Sequence, residues 1–214
     1  MTRRYLLATR SAGKLRELNE IFSEFGLEAI DLEAADIPET PAEETLEAFD
    51  TFEENALAKA RYFYEQSGGM PTFADDSGMC VDALGGEPGV FSKRWSGRED
   101  LKGKALDAEN NAKLVERMAA ARRKSPDKFT DSARYISVAA FKDAGGELIR
   151  RGTIEGNVLQ QPRGTSGFGY DPYFYAAEMG GTFAEADISQ TAAVSHRSRS
   201  FRALLSALRA EGRI

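Results

Sequence analysis

A single α/β domain is what this 214-residue sequence predicts, because strand-like and helix-like segments alternate from one end to the other. Three observations point there. Short apolar runs such as Tyr5–Thr9 give way to helical spacing. A long segment folds back on itself around Asp143–Gly146. No repeat, low-complexity tract or linker interrupts the chain.

Tyr5–Thr9 reads as a buried strand, and Leu15, Leu18, Ile21, Phe22 and Phe25 then form one helical face that Gly26 ends. LEAIDL suggests a second strand and DIPETPAEE an acidic, proline-bearing loop. Leu46, Phe49, Phe52, Ala56, Leu57 and Phe63 fall roughly in phase and predict one longer helix ending near Ser67–Gly69. MPTFADDSG reads as a core strand that turns at its two aspartates. A loop rich in glycine and charge follows over Ser96–Gly103, then a helix over Asn110–Arg123. ARYISVAAFKDAGGELIRRGTIEGNVL reads as a hairpin, and QPRGTSGFGYDPYF as a punctuated loop running into aromatics. A last helix presents Phe201, Leu204, Leu205 and Leu208 on one face.

With 42% hydrophobic and 29% charged residues, the chain has ordinary globular proportions. No apolar run nears the roughly 20 residues that span a membrane. The apolar part of MTRRYLLATRSAGK is too short for a secretory signal. Cys80 is the single cysteine, so no intrachain disulfide can form and a cytoplasmic home is expected. One cysteine and one histidine also exclude the usual structural zinc cluster. A net charge of −6 argues against nucleic-acid binding, which needs a basic patch. A small anion remains possible if local cations or a divalent metal meet it.

Four places could hold chemistry. In LLATRSAGKLREL a strand ends, a short loop follows and a helix begins near Lys14; this is an anion site or a plain strand-to-helix turn. The acidic helix carries Glu43, Glu44, Glu47, Glu53, Glu54 and Lys59, mostly a solvated face from which sequence alone picks no functional acid. Asp75 and Asp76 suit a divalent cation, with one acid ligating and the other handling water, or else an Asx-turn cap, which an isolated DDSG favours. Late in the chain, GTSGFGYDPYF could cradle a planar ring, and SHRSRSFRAL places Arg197 as a donor and His196 as a hydrogen-bonding residue. No GxSxG elbow supports a serine hydrolase.

In this order, ADDSGMCVDALGGEPGVFSKRWSG, GFGYDPYF and SHR, supported by FEENALAKA, resemble the inosine triphosphate pyrophosphatase family, from Leu6 to about Leu208. The resemblance implies an elongated, mixed β-sheet flanked by helices, with two lobes around a nucleotide-binding cleft, as one such domain over residues 1–214. It implies Mg²⁺-dependent hydrolysis of ITP, dITP and XTP to the monophosphate and pyrophosphate by a homodimer. Asp76 would be general base and metal ligand, joined at the metal by Asp75 and Glu47. The first loop, with Thr9, Arg10, Ser11 and Lys14, and the helix residue Lys59 would face the phosphates, and Ser77 the substrate. Phe168, Gly169, Tyr170 and Asp171 would form the base loop, and His196 and Arg197 would read the 6-oxo edge.

The chain also departs from that pattern. Ser11 stands where the family usually has Asn, and Thr191 where it usually has Lys. Its metal glutamate falls at Glu47 without gaps and at Glu44 with a small insertion; the reading here takes Glu47. These departures leave open a nucleotide-binding paralogue with weak catalysis, or a pyrophosphatase tuned to other modified nucleotides.

Overall fold

A computed structural model describes residues 4–214. Three strands begin the fold: β1 (Tyr5–Leu7), β2 (Ala29–Asp31) and β3 (Thr72–Val81). Two longer ones follow, β4 (Ser132–Asp143) and β5 (Gly146–Val158), and then the short β6 (Phe174–Ala176) and β7 (Gly181–Thr182). They make one seven-stranded sheet in the order β2-β1-β3-β4-β5-β6-β7. β1 runs parallel to β2 and β3, whereas β6 runs antiparallel to β5 and β7, so the sheet is mixed. The helices are α1 (Ala12–Glu24), α2 (Phe52–Gln66), α3 (Gly103–Lys124), α4 (Ile188–Val194) and α5 (His196–Ala210). The mixed sheet flanked by helices agrees with the predicted class.

The chain divides into two compact units. The first runs to Asp76 and takes in Ser137–Thr153 and Ser195–Ile214; the second comprises Ser77–Ile136 and Ile154–Val194. An aromatic cluster packs the core of the first, with Phe73 lying 4.9 Å from Phe22 edge-on and 4.6 Å from Phe141. Phe201, Leu204, Leu205 and Leu208 of α5 are completely buried there, as their spacing predicts. The second unit has its own core around Met79, Val81, Tyr135, Phe174 and Phe183, with Tyr135 and Phe174 centroids 4.6 Å apart.

Three expectations need correction, and three short elements went unread. The predicted long helix begins only at Phe52, where Thr51 accepts a hydrogen bond from Glu54 N at 3.2 Å; Leu46 and Phe49 precede it. β3 does not turn at its aspartates but continues through them to Val81. α3 starts at Gly103, well before Asn110. The short elements β6, β7 and α4 had no periodic signal long enough to read.

Candidate active site

The first unit brings acids and cations together on four elements, β3, α1, α2 and α5. β3 supplies Asp75 and Asp76, which as successive strand residues have different partners. Asp75, 2% exposed, receives Lys14 Nζ at 3.0 Å and Arg197 Nε at 3.2 Å on the same oxygen, Oδ2. Its other oxygen, Oδ1, is buried without a hydrogen-bond partner. Burial would raise this carboxyl, but Lys14 and Arg197 outweigh it and hold Asp75 well below the usual carboxylate range. Burial in turn lowers the Lys14 ammonium, with Asp75 opposing and Lys59 and Arg197 adding to the fall.

Asp76 sits among α2 side chains. Asn55 Nδ2 donates to its Oδ2 at 3.0 Å, and Lys59 Nζ lies 3.4 Å from Oδ1. Lys59 also meets Glu47 Oε1 at 2.8 Å, so one ammonium stands between two carboxylates. Burial pushes the Asp76 carboxyl above its ordinary value; Lys59 opposes, and Glu47 adds to the rise. Glu44 is exposed, which favours Glu47 as the acid facing Asp76.

The phosphate-loop candidates are partly engaged within the protein. Thr9 Oγ1 accepts from Ser11 N at 3.2 Å, and Ser11 Oγ caps α1 through Lys14 N at 3.4 Å. Arg10 turns to Glu43, pairing at 2.9 and 2.7 Å, and donates to Ile37 O at 3.1 Å. At the start of α5, His196 and Arg197 are both buried. Burial, reinforced by Arg197, lowers His196 well below the usual imidazole value, so it is neutral around pH 7.

Two first-unit residues were missed by the sequence reading. Glu17 of α1 is 4% exposed; it accepts a hydrogen bond from Ser195 Oγ and an ion pair from Arg197 Nη1. It lies one turn beyond Lys14 and beside the buried Leu18, which is a signal that an acid on an apolar face can give. Asn55 is fully buried and, besides holding Asp76, clasps the backbone N–H and C=O of Phe49 at 3.0 and 3.2 Å.

In the second unit, Ser77 is half-buried, and the loop Gly167–Asp171 presents one large side chain to solvent, Phe168, at 40% exposure. Asp171 Oδ2 accepts from Phe168 N at 2.8 Å, and Tyr135 donates its hydroxyl to Asp171 Oδ1 at 3.3 Å. Tyr170 is buried, donates to Ser92 O at 2.8 Å and lies edge-on to Trp95. Tyr170 and Asp171 therefore build the loop, while Phe168 is offered outward.

Among the described residues, no three His, Cys, Asp or Glu side chains cluster as a ready metal cage. The donors nevertheless fit a hard cation: carboxylate oxygens of Asp76 and Glu47, and the unpartnered Asp75 Oδ1. Mg²⁺ commonly takes one or two carboxylates and completes its shell with water and substrate phosphates.

Residues 5–207 match the Ham1 family. A dITP/XTP pyrophosphatase from Aromatoleum aromaticum is 42% identical over 208 residues, 97% of this chain and 98% of that protein. Another from Thermus thermophilus is 44% identical over 94% of this chain and 90% of its own length. Among solved structures, a HAM1 protein from Coxiella burnetii superposes with a TM-score of 0.78 at 35% identity, covering 96% of this chain and 98% of that one.

Proposed function

The chain belongs to the Ham1 family, and from that premise we propose that it hydrolyses non-standard purine nucleoside triphosphates such as ITP, dITP and XTP to the monophosphate and pyrophosphate. One observation carries the reading at the level of atoms. Asp76 is a carboxylate 4% exposed, fixed by Asn55 and Lys59, whose basicity burial has increased. A carboxylate held in that way suits proton abstraction from water.

Mg²⁺ is the cofactor of this reading, and Asp76, Glu47 and the unpartnered Asp75 Oδ1 would hold it. Bound there, it supplies a Lewis acid for the phosphates and for the charge developing on the leaving pyrophosphate. Lys14 and Lys59 bind phosphate oxygens electrostatically, and the start of α1 adds its dipole. Glu17 and Asp75 fix the Arg197 guanidinium through Nη1 and Nε, so its donors are oriented before substrate arrives. A 6-oxo purine gives such a donor an acceptor, whereas the 6-amino group of adenine leaves it unpaired. Phe168 takes the base by stacking.

The deciding assay is pyrophosphate release from ITP, dITP, XTP, ATP and GTP, with and without Mg²⁺. The expected result is Mg²⁺-dependent turnover with the deaminated purines preferred. Equal rates on ATP and ITP overturn the base preference, and near-normal turnover of Asp76→Asn overturns the assigned base. A cytoplasmic homodimer completes the proposal, checked by fractionation and light scattering. Among the described residues, no helix is long and apolar enough to cross a membrane.

A further inference from the structure

Phe168 has an orientation problem. Its ring is 40% exposed, and its neighbour Gly169 has no side chain to anchor. Gly169 also takes a left-handed backbone, φ +61°, although a Cβ there would touch nothing within 4 Å. The glycine thus answers a conformational need, not crowding, and backbone hydrogen bonds must place the segment.

Those bonds come from one helix face. Asp107 and Asn111 lie one turn apart on α3. Asp107 Oδ2 accepts from Gly169 N at 3.0 Å, and Asn111 Nδ2 donates to Gly169 O at 2.9 Å. Both polar groups of one peptide residue are therefore gripped by side chains 62 and 58 positions away, while Phe168 N is held from within the loop by Asp171 at 2.8 Å. A carboxylate accepting a backbone N–H makes the stronger, charge-assisted kind of bond.

We infer that Asp107 and Asn111 are positioning residues for base recognition, a two-point clamp on Gly169 that sets where Phe168 offers its ring. The inference rests on the proposal that Phe168 receives the purine. Neither residue touches the base; each acts through the backbone beside Phe168. Without the clamp the ring samples several positions, and the ordering it loses is charged to base binding.

The test uses the full chain and calorimetric titration with IMP and, separately, inorganic pyrophosphate in Mg²⁺. Asp107→Ala and Asn111→Ala should each weaken IMP binding about tenfold, equivalent to about 1.4 kcal/mol. Pyrophosphate, which carries no base, should bind within about twofold of wild type and so reports that the fold is intact. Asp107→Asn keeps an acceptor oxygen and should restore most of the IMP affinity. In turnover, the alanine variants should raise KM for XTP with kcat nearly unchanged. Unchanged IMP affinity, equal weakening of both ligands, or no IMP binding by wild type overturns the clamp. Wild type that binds IMP yet releases no pyrophosphate from XTP removes the proposed reaction and leaves the clamp standing.

Discussion

Asp75 shows how a charge can be placed inside a strand without breaking the fold. Its Oδ2 collects both Lys14 and Arg197, and Arg197 is matched again by Glu17, so one buried and one half-buried cation face two buried anions. Removing one member leaves an uncompensated buried charge, which costs more than the pair contributes when intact. Asp75→Asn should therefore lower unfolding free energy by about 3–5 kcal/mol, read from denaturant curves at pH 7. The sign with pH follows from Asp75 being depressed in the folded state. Its stabilisation is fully present above the unfolded aspartate value, about 3.9, and is lost as pH falls through the folded one. The gap between wild type and variant should thus be constant above about pH 5 and shrink below about pH 4; a gap that widens in acid would contradict the ion-pair account. The neighbouring His196 gives a second outcome. It is the only histidine, and burial holds it neutral down to well below the usual imidazole value. The profile of kcat/KM should therefore lack a histidine limb near pH 6.5, and His196→Gln should leave the shape of the profile between pH 6 and 8 unchanged, whatever it does to its height.

At the scale of elements, the seating of α5 depends on a position with no side chain. A Cβ on Gly152 of β5 would lie 2.2 Å from His196 O and 2.5 Å from Ser200 N, so strand and helix start meet backbone to backbone. Those atoms cannot swing aside as a flexible side chain could. Gly152→Ala should displace the first turn of α5, costing about 1–3 kcal/mol of stability and lowering kcat/KM through the shifted Arg197. Thermal unfolding and XTP kinetics on the same preparation check both, and full activity in that variant would show that α5 tolerates the shift. Legibility in the sequence divides along similar lines. α1 and α5 could be read because each buries a repeating face, and periodicity is a packing signal, whereas β4 and β5 could be read from the turn that joins them at Asp143–Gly146. Leu46 and Phe49 kept helical phase but lie outside α2, because Asn55 clasps the Phe49 backbone and Thr51 caps the helix after it. Phe49 is left 44% exposed, so its spacing carried no packing information. The aspartates of β3 looked like a turn because the cations that let them be buried, Lys14, Lys59 and Arg197, lie far away along the chain. Local sequence context offered Lys14 as an anion contact, Lys59 as a helix cation and Arg197 as a donor, and the family motifs gave them roles, but neither signal singled out Glu17, Asn55, Asp107 or Asn111. Each of these acts through a partner that only the folded chain supplies.

For the whole molecule, the question is what the metal contributes. The chain carries a net charge of −6, yet among its described residues no three acids gather as a preformed cage. Lys59 stands between Glu47 and Asp76, and Lys14 and Arg197 neutralise Asp75, so protein cations already balance these acids in the free protein. Folding should then owe little to Mg²⁺, whereas phosphate binding should depend on it, because a cation shared with phosphate adds ligands the protein does not provide. The two roles separate in one melting experiment. Millimolar Mg²⁺ alone, or EDTA alone, should leave Tm within about 1 °C of the untreated protein, since a ligand stabilises only in proportion to its occupancy of the folded state. Mg²⁺ with inorganic pyrophosphate at about a hundred times its Kd should add about 2.7 kcal/mol. For a chain of this length that corresponds to a rise of roughly 5–10 °C. EDTA added to that mixture should return Tm to its starting value and, in turnover assays, stop pyrophosphate release until Mg²⁺ is restored. A rise of several degrees with Mg²⁺ alone would mean that Glu47, Asp75 and Asp76 form a metal site in the free protein, with Lys59 displaced from between two of them. A rise with pyrophosphate that survives EDTA would instead assign phosphate binding to Lys14, Lys59 and the start of α1 without help from a metal.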